Sequence, residues 1–334
     1  MLVSIVIPAR AWDSFLEATL ATVAAQNLPT GVELEIVVGL AGSPPSELPP
    51  GVRVVRNPTG TIPDALNLAI AESTGQVIVR VDARCRLSPH HVTRVLRSLE
   101  DPAVGCVGSA QLVLDRGLFG SAYAVAFNSL LLGPSKYRYS RRSGPADTAY
   151  LGAWRRDDLA ELGGFDPRLL RNQDNELADR VRAAGKTVYY DADLVVGYYN
   201  ARGLKAAMAH HRDFGLWRMI QRSQGQRGLA RKHVLAVVSV LSVVGAAAPA
   251  MRSRRGRASA TAVGAASYLI GAIGSYRSAN RLRQARPDIE GPEFHPVGVA
   301  LAPGIAALIN GAWLVGLAQG FLRSNADLHE ESSG

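Results

Sequence analysis

Three stretches of this chain carry no charged side chain: His233–Met251, Ala260–Tyr276 and Val297–Leu322. A helix needs roughly 20 apolar residues to cross a bilayer, so each stretch is long enough or nearly so. A soluble bundle of buried helices is the alternative, but clusters of Arg fence the runs on their polar sides, as at membrane boundaries. The expectation is a membrane region of about three helices over residues 232–323, with an acidic tail over 324–334. Soluble chemistry must then be built from roughly the first 225 residues.

The charge pattern around these runs is in conflict with itself. Arg227, Arg231 and Lys232 precede the first run, Arg252, Arg254, Arg255 and Arg257 follow it, and Arg277, Arg281, Arg283 and Arg286 follow the second. Three full spans would put one of these basic clusters outside, against the positive-inside rule, so one or both of the first two runs is re-entrant or interfacial. The third is the longest and carries Gly316 and Gly320 at GxxxG spacing, a pattern that lets helix backbones approach. It is expected to be the firmest span. The segment 203–222 just ahead of the first run is basic and amphipathic. It reads as a helix lying in the membrane interface or as a surface helix packed on the domain.

The formal charge is +9 and the pI about 9.9, which favours anionic partners: phosphates, nucleic acid or anionic lipid. The Arg residues form no single stripe and aromatics are 6% of the chain, which argues against nucleic acid. Two cysteines, Cys85 and Cys106, give neither a disulfide framework nor a zinc spacing, so a reducing compartment is the default. His90 and His91 near Cys85 do not change this, since adjacent helical residues point apart. The N-terminus enters a strand at once, without a charged leader, and reads as lacking a signal peptide.

Residues 1 to about 115 alternate strand and helix. LVSIVIPA is a continuous apolar run, as a parallel strand buried on both faces requires. Asp13 is placed to cap a helix over SFLEATLATVAAQ. ELEIVVGL, VRVVRN and QVIVRVD are further strands, with a helix from Ile62 to about Ser73 between the last two. Ser88 and Pro89 are expected to start the next helix as N-cap and first residue. This order implies an α/β fold with a parallel sheet and its site at the strand C-termini. The loop GPSKYRYSRRSGPA over 133–146 is either a lid over a phosphate-bearing substrate or a solvated connection.

The stretch from Asp147 to Gly185 is the most informative. Gly163 and Gly164 end one helix, Pro167 blocks its continuation, and NELADRVRAA starts another near Asn172. Asp174 then lies in the first turn of that helix, where unpaired N–H groups and the dipole favour a carboxylate. It is either a helix cap or a general base facing a pocket.

DT-YLGA-RR, GGFDP and RNQDNEL resemble the acceptor-side block of the family-2 glycosyltransferases, above all the succinoglycan-type exopolysaccharide glucosyltransferases. IPAR, RNPTGTIPDALNLAI and TGQVIVRVDAR are similar to the donor side of the same family. The resemblance covers about the first 225 residues and implies a GT-A domain. It assigns Asp174 as the base of an inverting transfer and Asp82 as the ligand of a divalent cation, Mg²⁺ or Mn²⁺. Substrate contacts are implied for Pro8, Ala9, Arg10, Asn67, Arg80, Asp82, Arg84, Asp147, Gly152, Arg171, Asn172 and Gln173. The implied donor is a nucleotide sugar, UDP-linked in the first instance, and the implied acceptor a lipid-linked saccharide or glycan of the envelope. The protein would be a multi-pass membrane protein with its catalytic domain in the cytoplasm.

Three positions depart from the family pattern. Trp12, followed by Asp13, stands where an acidic residue is common, Leu40 where an Asp helps read the base, and Arg84 where a second metal ligand belongs. Arg stays protonated and cannot bind a cation. Either Asp82 holds the metal with water, or Arg84 neutralises the diphosphate itself. The departures also admit two rivals: a scaffold that has lost catalysis, and a transferase using a polyprenyl-phosphate sugar.

Overall fold

The computed structural model describes residues 1–132, 136–199, 203–223, 265–266, 268–277, 280 and 294–323. It divides into two compact units, residues 1–114 with 134–200 and 286–291, and residues 115–133 with 201–285 and 292–334.

The first unit is built on a nine-stranded mixed sheet. Strand β1 (Leu2–Ala9) lies between β2 (Glu33–Leu40) and β4 (Val77–Arg80), and β2 carries β3 (Val52–Arg56) on its outer side, all in parallel. This is the parallel α/β arrangement that the alternation of apolar runs implies. Helices α1 (Ser14–Ala24) and α2 (Ile62–Ala71) are the crossovers. The Asp13 side chain caps α1 by accepting from the N–H groups of Phe15 and Leu16. Four residues separate β4 from β5 (Cys85–Leu87), which pairs with a distant strand that no periodicity in so short a run announces.

Helix α3 (His91–Ser98) begins later than Ser88 and Pro89 imply. His90 occupies the N-cap without a side-chain bond, and the Ser88 carbonyl accepts from the His91 N–H at 3.1 Å. The Gln26 side chain accounts for the late start: its amide donates to the Ser88 carbonyl at 2.8 Å and accepts from the Val92 N–H at 3.0 Å.

The second half of the sheet is mixed. Strand β6 (Val104–Val113) pairs in parallel with β9 (Thr187–Tyr198), and β9 pairs antiparallel with β5 and with β7 (Gly144–Pro145). A three-residue strand, β8 (Ala153–Arg155), runs antiparallel to both β4 and β6 and joins the two halves. Helices α6 (Arg156–Glu161) and α7 (Gln173–Ala183) follow it. Gly163 and Gly164, both at positive φ, end α6 as the sequence implies. In the basic loop after 133, residues Lys136–Tyr139 form the short helix α5, the Lys136 ammonium donates to the Pro145 carbonyl, and the Tyr190 hydroxyl donates to the Ser140 carbonyl at 2.8 Å. The described part of this loop is therefore tied to β9 through Tyr190, while Arg141, Arg142 and Ser143 are exposed.

The second unit contains α4 (Gly117–Phe127), α8 (Leu204–Ser223) and α9 (Pro296–Arg323). Helix α9 is 28 residues long and has a mean hydropathy of 1.7 in its most apolar window. Among the described residues it alone is long and apolar enough to cross a membrane, by length and composition. The first uncharged run lies outside the described residues. The second is described as helical over 265–266 and 268–277.

Gly316 and Gly320 explain how α8 meets α9. A Cβ at Gly316 would collide with the Arg212 carbonyl, and one at Gly320 would come within 2.7 Å of the Leu216 carbonyl. Gly215 on α8 answers them, with no room for a Cβ beside the Trp313 carbonyl. The GxxxG spacing thus packs two helices of the same chain. Gly316→Leu overpacks this contact and is expected to cost about 1–3 kcal/mol, whereas Gly311, with nothing within 4 Å, should accept Leu at little cost. Thermal unfolding of the two variants in detergent checks the contrast.

Candidate active site

The site lies at the C-terminal end of β4, where the first half of the sheet opens. Arg80 ends that strand, and its side chain is only 4% exposed. Burying a charge without partners is costly, and two carboxylates supply them. The guanidinium donates from Nε at 3.1 Å and Nη2 at 3.0 Å to Oδ1 of Asp82. Its Nη1 donates to Oδ1 of Asp174. The two acids are 25% and 27% exposed, so a hidden cation holds two accessible anions.

Each group is placed by the fold around it. The Arg80 N–H donates to the Gly152 carbonyl at 3.1 Å and the Val81 N–H to the Val6 carbonyl at 3.0 Å. Gly152 cannot be larger, since a Cβ there would strike Trp154 and approach the Cys106 Sγ. Its neighbour Leu151 holds a φ of 47° although buried, a rare conformation for a bulky residue. The turn after Asp82 is gripped from α1, where the Thr19 hydroxyl lies 3.0 Å from the carbonyls of both Ala83 and Cys85. Asp174 rides the first turn of α7, whose start is set by buried Asn172 at φ 62°, a left-handed conformation that Asn tolerates better than most residues.

Burial raises the Asp174 carboxyl to about 6, against the pull of Arg80 and with the push of Asp82. Desolvation likewise pushes up the Cys85 and Cys106 thiols and the Tyr150 hydroxyl, so none of these is a nucleophile near neutral pH. Tyr150 nevertheless belongs to the site. It lies close enough to Arg80 and Asp82 to feel their charges, its hydroxyl is 4.0 Å from the Cys85 Sγ, and its ring stacks on Tyr137 at 5.8 Å. The sequence reading passed over this residue although it sits inside the DTAYLGA block.

The other expected site residues fall into separate groups. Pro8 and Ala9 end β1 buried, while Arg10 is exposed beyond it. The Asn67 amide is engaged with backbone, donating to the Phe165 carbonyl at 2.7 Å and accepting from its N–H at 3.0 Å. Gln173 is buried at the start of α7 with Arg171 half-buried before it, and Asp147 is exposed ahead of β8; none of the three belongs to the Arg80 bridge. Arg84 turns toward α1, 3.7 Å from Asp13 and 4.2 Å over the Phe15 ring. Leu40 is fully buried in the core, and the Trp12 indole donates to Glu17 at 3.2 Å.

The donor set for a tightly held cation is not assembled. Among the described residues no three His, Cys, Asp or Glu side chains come together. The free Oδ2 of Asp82 does fit a cation bound chiefly by substrate phosphates and water, the usual habit of Mg²⁺. His90 is exposed and His91 buried, with its pKa lowered to about 4 by burial.

A sheet with a carboxylate at the end of a central parallel strand, faced by a second carboxylate on a later helix, has the architecture of the GT-A nucleotide-sugar transferases. Residues 4–163 of the 334 match the family described as Glycosyl transferase family 2. A mannosyltransferase from Pyrobaculum calidifontis, solved with GDP-Man and Mn²⁺, is similar in fold at a TM-score of 0.50 and 17% identity, over 97% of this chain and 87% of that one. TarS of S. aureus, residues 1–349, matches at a TM-score of 0.46 and 14% identity over 66% of each chain, so this chain spans about two thirds of its length. No curated protein sequence is a significant match.

If Asp174 acts as a base it must be ionised, so the rate should fall as pH drops through about 6 and level off above it. Asp174→Asn should lower kcat by about 10²–10⁴-fold while binding of nucleoside diphosphate persists. A pH–rate profile and a binding titration check both outcomes.

Proposed function

We propose that this protein is a membrane-anchored inverting glycosyltransferase that moves a sugar from a nucleotide sugar to a lipid-linked or glycan acceptor in envelope or exopolysaccharide synthesis. The observation that carries the reading is the pair of part-exposed carboxylates, Asp82 and Asp174, held together on the one guanidinium of Arg80. Asp174 Oδ2 takes the proton of the acceptor hydroxyl as that oxygen attacks the anomeric carbon, and the nucleoside diphosphate leaves from the opposite face. Asp82 serves the donor side. A divalent cation, when bound with the donor, neutralises the leaving diphosphate, with Asp82 as its side-chain ligand. The GDP-Man and Mn²⁺ bound by the Pyrobaculum enzyme support that class of donor and ion. Buried Leu40 and the turn of Arg84 toward α1 favour a second reading, a donor recognised little by its base, such as a polyprenyl-phosphate sugar.

The test is a panel of UDP-, GDP- and polyprenyl-phosphate-linked sugars offered to the full chain in detergent, with and without Mn²⁺. Release of nucleoside diphosphate with one nucleotide sugar is expected, and no turnover with any donor would favour a scaffold. Calorimetry should show Mn²⁺ binding weakly with the nucleoside diphosphate present, not at all without it, and not to Asp82→Asn.

The membrane assignment rests on α9 and its surface. Leu301, Leu308, Val315 and Leu322 recur every seven residues and are all exposed, Leu322 at 72%. Leu269, Ile270, Ile273 and Tyr276 in the preceding run are exposed too. Such apolar surface suits lipid better than water. A multi-pass protein with an odd number of spans puts the acidic tail across the membrane from the catalytic domain. With Cys85 and Cys106 replaced by Ala, a probe that cannot cross the membrane should label Ser333→Cys in intact cells and spare Ser46→Cys. Protection of both would mean an even number of crossings.

A further inference from the structure

We infer that Arg80 is the positioning residue that divides the labour of the two site carboxylates, by taking one oxygen of each and leaving the other to substrate. This rests on the reading of Asp174 as the base. Sequence resemblance places Arg80 among the substrate contacts. The geometry adds a further role: Nε and Nη2 both donate to Asp82 and Nη1 to Asp174, at a side chain 4% exposed. Among the described residues, neither Asp82 nor Asp174 uses its Oδ2, so each presents one oxygen outward.

A planar guanidinium does this where a point charge cannot. Its donors are fixed in a rigid fork, so the orientation of one carboxylate is tied to that of the other. Nε and Nη2 point along one edge and grip Asp82, and Nη1 reaches away to Asp174. The fork is held from behind. Its carbon lies 5.9 Å over the Phe165 ring, and Phe165 is fastened through its backbone to the Asn67 amide. Asn67 thus serves the site through Phe165 and Arg80. An ion pair that only filled the core would hide both signs of charge. Here the cation is hidden while both anions stay about a quarter exposed.

A double-mutant cycle on the purified full chain tests this, with Arg80→Met, Arg80→Lys and Asp174→Asn, using whichever donor the panel identifies. Arg80→Lys should unfold near the parent temperature yet lose about 100-fold in kcat, the usual penalty for a misplaced reacting group, with little change in acceptor KM. Either Arg80 substitution should cost clearly less in kcat in the Asp174→Asn background than in the parent, because no base is left to aim and only the share carried through Asp82 remains. An equal loss in both backgrounds would make Arg80 a structural ion pair and overturn the inference, as would parent-like kcat in Arg80→Lys. If Arg80→Met does not fold, the cycle is closed with Arg80→Lys. Parent-like activity in Asp174→Asn alone would refute the base assignment instead, so the two failures are told apart.

Discussion

A guanidinium out of water is the constraint on which the first unit turns. Arg80 sits at the end of a strand flanked by β1 and β8, where desolvation costs several kcal/mol per ion unless partners are close and well aligned. The two acids meet that need, and in doing so they are fixed relative to each other. Asp82 comes from the turn directly after the strand and Asp174 from a helix 94 positions away from Arg80 in the chain. The same bridge therefore closes the domain and assembles its chemistry. Burial at this bridge raises the Asp174 carboxyl, with Arg80 pulling it back down and Asp82 adding a smaller upward push.

The sequence made the first half of this unit legible because local signals and fold agree there. LVSIVIPA and ELEIVVGL are strands over the whole of their apolar runs, and Asp13 caps the helix it was expected to cap. Asp174 was found as a helix-terminal carboxylate, and that is where it lies. The misses have a common cause in non-local contacts. The late start of α3 depends on Gln26, 62 positions before Ser88 in their shared bond. The three-residue strands β5 and β8 exist only through their partners. The ion pairs of Arg80 are likewise invisible in the sequence, because resemblance supplies a position without its bonding partners, and nothing in the neighbours of Tyr150 along the chain sets it near Asp82.

In the second unit, small residues carry the packing. Helices α8 and α9 approach until backbone meets backbone at Gly215, Gly316 and Gly320. Gly298 at the start of α9 brings it against α4, within 2.5 Å of the Leu118 carbonyl for a Cβ, and the His295 N–H donates to the Ser121 hydroxyl at 2.8 Å. Contacts of this kind do not depend on expelling water, since close van der Waals fit between helices works equally well in hydrocarbon. Larger apolar side chains are thereby left to the outer surface of α9.

One three-residue strand sets the timetable of folding. Strand β8, Ala153–Arg155, joins β4 to β6, so during translation the four parallel strands must wait for it with the β4 edge unpaired. An open edge of apolar residues is a template for wrong pairing, and closure across such a span of chain is slow. Only when β8 docks does the Gly152 carbonyl reach the Arg80 N–H, and Asp174 follows 19 residues after that strand. The nascent protein therefore holds a cation lacking one of its two counter-charges until the last helix of the domain leaves the ribosome, which makes protection of the half-built sheet a matter for the cell as well as for the sequence.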